Sequence, residues 1–287
     1  MNPPVSTQRI LYSIARRVGL EPTGDDANLS PSKAREILEF VDTRLKEAWE
    51  LYDFLETTLV EERAFAPDYD PTVSYSQGDI VWDWCSRFYY QALVPTIGGS
   101  LPNAAVWQAN VSPPTRTILF LQPGHTPIGT AYTAWNKNPY TDMNRNRIPF
   151  LLSNNGLEFT LSPVTQTIWI EFRILYPGIG LDQWNSTETY NTGDACFYNT
   201  DTYLSLIDNN LNNTPPAVSD GNWQQFRIPW VFRGFVTQAA FADTLIVSGQ
   251  NEKAPDQLQQ AYQLLWGEYD KQTIQSGQFT GYSARVV

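Results

Sequence analysis

The sequence predicts an α+β fold: a helical bundle formed by N- and C-terminal helices, with an inserted antiparallel β-sheet region and two small β-modules. Helical periodicity is confined to the two ends of the 287-residue chain, and alternating apolar and polar residues with many turn residues fill the middle. Helices grouped apart from strands indicate α+β architecture. The predicted parts are a helical body (1–66 and 228–274), β-module 1 (67–112), a middle β-region (113–183), β-module 2 (184–227) and a C-terminal tail (275–287).

The N-terminal end predicts two helices. The first covers residues 8–18 and ends at Gly19, which suits the left-handed position after a helix. The second begins at Ser30-Pro31, an N-cap followed by proline at the first helical position. Its a/d stripe of apolar residues is expected to pack against another helix, from this chain or from a neighbouring subunit. The stripe consists of Ala34, Leu38, Val41, Leu45, Ala48 and Tyr52.

A short motif occurs twice, at places far apart in the chain. Each copy has a Tyr three residues before Gly-Asp, then a Tyr-containing strand and a late Trp. Gly accepts positive φ and Asp can bond its own backbone, so Gly-Asp predicts a tight turn, and the Trp is expected to close a small core. The predicted turn and core residues are Tyr75, Gly78, Asp79, Tyr90 and Trp107 in module 1, and Tyr190, Gly193, Asp194, Tyr203 and Trp223 in module 2.

The remaining segments predict strands in the middle and helices at the C-terminal end. Residues 118–121 and 167–173 have strand patterns, and Asn154-Asn155-Gly156 between two apolar segments predicts a hairpin. Residues 230–247 and 256–273 have helical periodicity. The tail is polar and is expected to be flexible or to become ordered on a partner.

Composition limits the classes of function. A net charge of −11 and a pI near 4.5 argue against a dedicated nucleic-acid-binding surface, which needs clustered Lys and Arg. Cys85 and Cys196 occupy non-equivalent places in the two modules and lack a Cys-x-x-Cys partner, so free, partly buried thiols are expected. Neither a signal peptide nor a membrane-spanning segment is recognisable, which predicts a soluble protein made in a cytoplasm.

No catalytic constellation is recognisable. His125 is the only histidine, and we interpret it as a loop residue; without a second His or a cysteine cluster, a zinc site has no support. Nucleotide-binding loops and the Gly-x-Ser-x-Gly elbow are missing. Asp79 and Asp194 occupy matching positions, which favours a turn role over catalysis. The sequence therefore predicts a protein that is not an enzyme, with no catalytic residue, no cofactor and no metal.

The two modules resemble small chitin-binding-type carbohydrate modules, which share the Tyr-x-x-Gly-Asp opening, the Tyr strand and the late Trp. In such modules exposed aromatic side chains can stack on sugar. The alternative, which we favour, is that these aromatics form the core of each module. Their exposure distinguishes the two alternatives, and the informative residues are Trp82, Trp84, Tyr89, Tyr198 and Tyr203.

Diffuse motifs over most of the chain carry a second resemblance. They lie in residues 33–50, 59–65, 147–153 with 155–156, 169–173, 228–230, 239–243, 249–250 and 253–254. Together they resemble head-to-tail connector (adaptor) proteins of tailed bacteriophages. The resemblance implies a virion structural protein: a ring of about twelve subunits under the portal protein.

The same resemblance implies what the protein contacts. The expected partners are other copies of the chain, the portal protein, tail or tail-nozzle proteins, and DNA that passes through the lumen without specific binding; no membrane is involved. In such adaptors the C-terminal segment often docks on the portal. The ring would be assembled in the host cytoplasm and would lie at the head-to-tail junction of the virion. The alternative function is a glycan-binding module protein of a phage adsorption apparatus.

Overall fold

The computed structural model describes residues 3–21, 29–97, 101–122, 124–160, 166–198, 201–215 and 221–275. Within them the chain is an α+β protein with four α-helices and antiparallel sheets. It divides into two compact units: residues 1–56 with 176–287, called here the helical unit, and residues 57–175, called the sheet unit. The finer five-part division stays a prediction. Residues 276–287, most of the predicted tail, lie outside the described residues.

Four α-helices and one short 3-10 helix are present in the described residues. They are α1 (Thr7–Arg17), α2 (Pro31–Leu51), the 3-10 helix Leu55–Thr57, α3 (Trp230–Val247) and α4 (Ala254–Gln275). The strands are β1 (Val5–Ser6), β2 (Thr58–Ala64), β3 (Ser74–Tyr75), β4 (Ile80–Asp83), β5 (Phe88–Ala92), β6 (Thr96–Ile97), β7 (Trp107–Ala109), β8 (Thr117–Leu119), β9 (Ile128–Trp135), β10 (Phe150–Leu152), β11 (Gly156–Phe159), β12 (Thr167–Ile174), β13 (Thr189–Tyr190), β14 (Ala195–Tyr198), β15 (Asp201–Ser205), β16 (Asn210–Leu211), β17 (Trp223–Gln225) and β18 (Arg227–Ile228).

The helices begin and end at residues with suitable local chemistry. The side chains of Ser6 and Ser30 each accept a 3.3 Å hydrogen bond from a backbone N–H three residues later, which caps α1 and α2. Gly19 and Gly249 adopt left-handed φ angles of 79° and 78° just after α1 and α3. All four predicted helical segments are helices, with ends within about two residues of the predicted ones.

α3 is the central helix of the helical unit and packs against α1, α2 and α4. On α2 the inner four residues of the predicted stripe are buried, and the outer two, Ala34 and Tyr52, are half-buried. The buried face of α2 is wider than this stripe, because Ile37 and Trp49 are buried as well. The Trp49 ring lies 5.8 Å from that of Phe232 on α3. A helix that packs on more than one neighbour needs such a wide apolar face.

Module 2 belongs to the helical unit. Strands β14, β15 and β17 form an antiparallel sheet, and β13 pairs with β16. β1 pairs with β18, which brings the residues before α1 beside the last strand before α3. The C-terminal end of the module is thereby joined to the segment that begins α1.

The sheet unit contains two larger sheets and module 1. Its central sheet has the order β2-β12-β9, and the strict alternation of β12 buries Ile168, Ile170 and Phe172 completely. The second sheet has the order β10-β11-β8 and contains the hairpin predicted at Asn154-Asn155-Gly156. Module 1 repeats the arrangement of module 2, with β4-β5-β7 as its sheet and β3 paired with β6.

β9 is an eight-residue strand that the sequence patterns did not predict. Its residues do not alternate cleanly between buried and exposed positions. The register between β12 and β9 shifts at Glu171/Phe172 and again at Arg173/Ile174. A bulge or irregularity moves following side chains to the other face, so it interrupts the period of two on which strand prediction depends.

Candidate functional site

The helical unit leaves a second apolar face of α4 uncovered. Ala261 and Leu265 on this helix are fully buried. Tyr262, Trp266 and Ile274, in contrast, expose 36%, 51% and 58% of their surfaces. A helix that packs on one side only normally carries polar residues on the other. The apolar outer side of α4 is therefore a candidate interaction surface.

A shallow groove runs along this outer side. Its lining residues, called here the α4 groove, are Tyr52, Pro255, Leu258, Gln259, Tyr262, Gln263, Trp266 and Gly267. A Cβ added at Gly267 would meet no atom within 4 Å, so no close approach inside the unit explains this glycine. Glycine in a helix interior costs about 1 kcal/mol relative to alanine. The glycine keeps the groove open beside Trp266.

A polar network fixes the helices on which the groove is built. The Arg44 guanidinium on α2 donates to both carboxylate oxygens of Asp243 on α3, at 2.8 and 2.7 Å, and to Glu47 at 2.7 Å. The hydrogen bond with Asp243 contributes most to raising the pKa of Arg44, with Glu47 adding to it and burial opposing it. The Tyr262 hydroxyl donates to the same Glu47. α2, α3 and α4 are thus joined by charge-assisted bonds.

The two modules form the same turn at the predicted residues. Gly78 and Gly193 adopt φ angles of 98° and 91°, and each glycine N–H donates a 2.8 Å hydrogen bond to a strand carbonyl. The Asp79 carboxylate accepts from the N–H of Ser76 at 2.7 Å, and Asp194 accepts in the same way from Asn191 at 2.7 Å. Both aspartates therefore have a turn geometry, as the sequence predicts.

Each module also has a corner that the sequence analysis missed. The Tyr75 hydroxyl accepts a hydrogen bond from the N–H of Asp70 at 2.8 Å, and Tyr190 accepts equivalently from Asn185 at 3.0 Å. The side chains of Asp70 and Asn185 each accept a further hydrogen bond from the backbone N–H two residues later, at 2.8 and 3.0 Å. The signal was present as Asp/Asn-x-Thr five residues before the tyrosine, which is a pattern for an Asx turn.

The aromatic residues of the modules are mostly core residues. Tyr75, Tyr90 and Trp107 are buried in module 1, as are Tyr190, Tyr203 and Trp223 in module 2. In both modules the first tyrosine and the tryptophan pack at steep angles, with centroid distances of 5.3 and 5.2 Å.

The five residues chosen to distinguish sugar stacking from core packing do not form an exposed platform. Trp82, Tyr89 and Tyr203 are buried, and Trp84 and Tyr198 are half-buried. Trp84 lies almost perpendicular to Trp82, at 86°. Sugar stacking needs an exposed flat face, so this geometry does not favour glycan binding by these residues.

Both modules instead expose aliphatic side chains at matching positions. The backbone N–H of Gly78 donates to the carbonyl of Ala92, and that of Gly193 donates to the carbonyl of Ser205. Ala92 and Ser205 therefore occupy equivalent positions, and the residues that follow them correspond. The exposed residues are Leu93, Val94 and Ile97 in module 1 and Leu206, Ile207 and Leu211 in module 2. The repeat therefore extends to the surface of the modules as well as to their cores.

The remaining predicted features concern single residues. His125 lies in the loop between β8 and β9, as interpreted, but its side chain is buried between Glu61 and Asp68. Both cysteines are free; Cys196 is buried, whereas Cys85 is exposed and not partly buried as expected. Within the described ranges, no three His, Cys, Asp or Glu side chains are grouped so that they could hold a metal ion.

No helix in the described part of the chain has the length and apolar character needed to cross a bilayer. No family model, curated protein or solved structure matches this chain.

Proposed function

We propose that this chain is a subunit of a head-to-tail adaptor ring of a tailed bacteriophage, which joins the portal to the tail and forms part of the DNA channel. The observation that carries the proposal is the uncovered outer side of α4, where Tyr262, Trp266 and Ile274 are 36%, 51% and 58% exposed. The proposal assigns this side, including the α4 groove, to contacts with a second copy of the chain.

The energetics favour such a contact. Fully burying a large apolar side chain contributes about 1.5–3 kcal/mol. Several such residues on one rigid helix supply a core for an interface, and Trp and Tyr are the side chains that most often dominate interface energies. A contact between α4 and a different face of the neighbouring copy is heterologous, and repeated heterologous contacts close into a ring when the rotation permits. The polar network around Arg44 holds the surface in one geometry.

The charge of the chain suits the lumen of a DNA channel. Each subunit carries a net charge of −11, and DNA carries one negative charge per phosphate. An acidic wall repels DNA, so the genome passes without being held. The proposed function is mechanical: the chain supplies a collar and performs no chemistry on its cargo. By resemblance, the C-terminal tail is assigned to the portal.

The proposal is tested by measuring the mass of the assembly and by asking whether that mass changes when a residue of α4 is substituted. Native mass spectrometry of the purified protein, alone and mixed with its portal, is expected to give a closed ring. Trp266→Ser is expected to shift the ring toward monomer because it removes the central aromatic of the groove. Leu151→Ser, which changes a 69% exposed residue of the sheet unit, is the matched control and is expected to leave the ring intact.

Two outcomes would contradict these assignments at different levels. A strict monomer that never associates with portal or virion would reject the adaptor function. A ring that forms equally well from Trp266→Ser would keep the adaptor function but would reject α4 as the contact surface.

A further inference from the structure

The only histidine of the chain is buried between two carboxylates in the sheet unit. The His125 side chain is 7% exposed; its Nδ1 lies 2.7 Å from Glu61 Oε1 and its Nε2 lies 3.1 Å from Asp68 Oδ2. Arg63, whose side chain is fully buried, lies 2.9 Å from the other oxygen of Glu61 and donates to the carbonyl of Thr126. The four charged groups are called here the histidine clamp: Glu61, Arg63, Asp68 and His125.

The geometry of the clamp favours a protonated imidazole. A neutral imidazole protonated at Nδ1 would donate to Glu61 at 2.7 Å but would leave the Nε2 lone pair 3.1 Å from Asp68 Oδ2, where the ring makes a charge contact and no hydrogen bond. With imidazolium, two positive groups balance two negative groups; with neutral imidazole, one unbalanced negative charge stays largely buried, which is unfavourable. Asp68 depends strongly on this cation, because its Oδ1 is buried and receives no hydrogen bond from any described residue.

The clamp joins three segments of the sheet unit. Two of its members lie on β2, and His125 lies in the loop between β8 and β9. Asp68 lies beside β4 of module 1: the Tyr69 N–H donates to the Trp82 carbonyl at 2.8 Å, and the Trp82 N–H donates to the Pro67 carbonyl at 2.9 Å. Asp68 therefore stands where the chain leaves β2 and enters module 1.

We propose that the histidine clamp is a proton-operated latch for module 1. The imidazolium holds the entry segment of the module, residues 67–69, against β2. When alkaline pH removes the proton, Glu61 and Asp68 lose their shared cation and the entry segment is released. This makes the attachment of module 1 to the central sheet dependent on pH, independently of the adaptor function.

The direction of the pH dependence follows from the balance of forces on His125. Burial lowers its pKa, but the contacts with Asp68 and Glu61 raise it more, so the net pKa is raised above the ordinary value. A group with a higher pKa in the folded state stabilises fully below its unfolded pKa of about 6.5. That stabilisation is lost as the pH rises through the folded pKa. The latch therefore closes in acid and opens in base.

Other charged groups near the clamp do not reverse this direction. Arg63 is the like charge that opposes protonation of His125, and its effect is already included in the net raised pKa. From module 1 the indole of Trp84 faces the imidazole, with a centroid distance of 6.2 Å. The Arg87 guanidinium lies 5.2 Å from that indole and is paired with Glu62, so its charge is compensated.

Because the chain contains a single histidine, its titration can be followed without assigning other imidazole signals. Proton NMR of the full chain follows one histidine titration, and the wild-type midpoint is expected above about 6.5. Asp68→Asn removes one carboxylate and is expected to lower the midpoint. Asp142→Asn, in the exposed pair with Lys137, is the matched control and is expected to leave it unchanged. A wild-type midpoint at or below about 6.5 overturns the latch.

Amide hydrogen exchange tests the release itself. At about pH 6 the amide of Phe65, which donates to the Tyr89 hydroxyl of module 1 at 3.0 Å, is expected to exchange at least about tenfold more slowly in wild type than in His125→Gln, and well above the titration midpoint the two proteins should converge. Equal exchange in both proteins at both pH values contradicts the proposal. Should the variant not fold, wild type decides: a ratio of Phe65 exchange to Ile170 exchange that stays constant between the two pH values rejects the latch.

Discussion

At the scale of single residues, Gly156 is required by the close approach of two strands. A Cβ at this position would lie 2.2 Å from the carbonyl oxygen of Ile118 in the neighbouring strand β8. The Asn-Gly pattern predicted the hairpin correctly, but the glycine φ is not in the left-handed region. The demand for glycine comes from across the sheet, which a local turn pattern does not reveal.

Gly156→Ala is expected to destabilise the protein by about 1–3 kcal/mol or more, because β8 and β11 must separate to admit the methyl group. Gly267→Ala is the matched control: its Cβ enters open space on a helix, so it is expected to stabilise by up to about 1 kcal/mol. Urea unfolding of both variants measures the difference. Equal effects of the two changes would contradict the close approach at Gly156.

At the scale of secondary-structure elements, the Arg44 network joins α2, α3 and α4. The Arg44 and Asp243 side chains are 18% and 15% exposed, so the pair is shielded from solvent. Removing Asp243 takes two charge-assisted hydrogen bonds from the shielded Arg44 guanidinium and leaves it with Glu47, which costs more than the pair itself contributes.

Asp243→Ala is therefore expected to lower the free energy of unfolding by about 2–4 kcal/mol. Lys271→Ala breaks an exposed pair with Glu268, and a loss of no more than about 0.5 kcal/mol is expected. Denaturant unfolding at neutral pH compares the two variants. A loss for Asp243→Ala as small as that for Lys271→Ala would show that the network is not shielded as described.

The elements differ in how far the sequence predicts them. The four helices were predictable because each carries an unbroken period of 3.6 residues and clear end signals such as Ser30-Pro31. β9 was not, because its register shifts against β12 break the alternation. The same limit applies to the candidate site. The Gly-Asp turns are local and were found, whereas the partners of His125, Glu61 and Asp68, are distant in sequence and meet it only through the fold.

At the scale of the whole molecule, the net negative charge affects the two proposed partners, other copies of the chain and DNA, in different ways. Subunits that each carry a charge of −11 repel one another, so association through an apolar surface such as α4 must overcome this repulsion. At 0.1 M ionic strength salt largely screens the repulsion between exposed charges more than about 10 Å apart, but it weakens apolar contacts little. The same negative charge opposes retention of DNA.

Ring formation is therefore expected to strengthen as ionic strength rises, and duplex DNA is expected not to bind even at low salt. Sedimentation velocity over a salt series, with and without labelled DNA, measures both effects. DNA binding that weakens steeply with salt would identify a basic contact surface and would contradict an inert lumen.

The two free cysteines give the chain a selective chemical handle. Cys85 is exposed in the turn between β4 and β5 of module 1, whereas burial raises the pKa of the Cys196 thiol to about 12. The thiolate is the reactive species, so a maleimide at neutral pH selects Cys85. One dye or gold cluster per subunit would then mark module 1 on the purified assembly without any engineered residue, and the number of marks per assembly would count the subunits of the proposed ring.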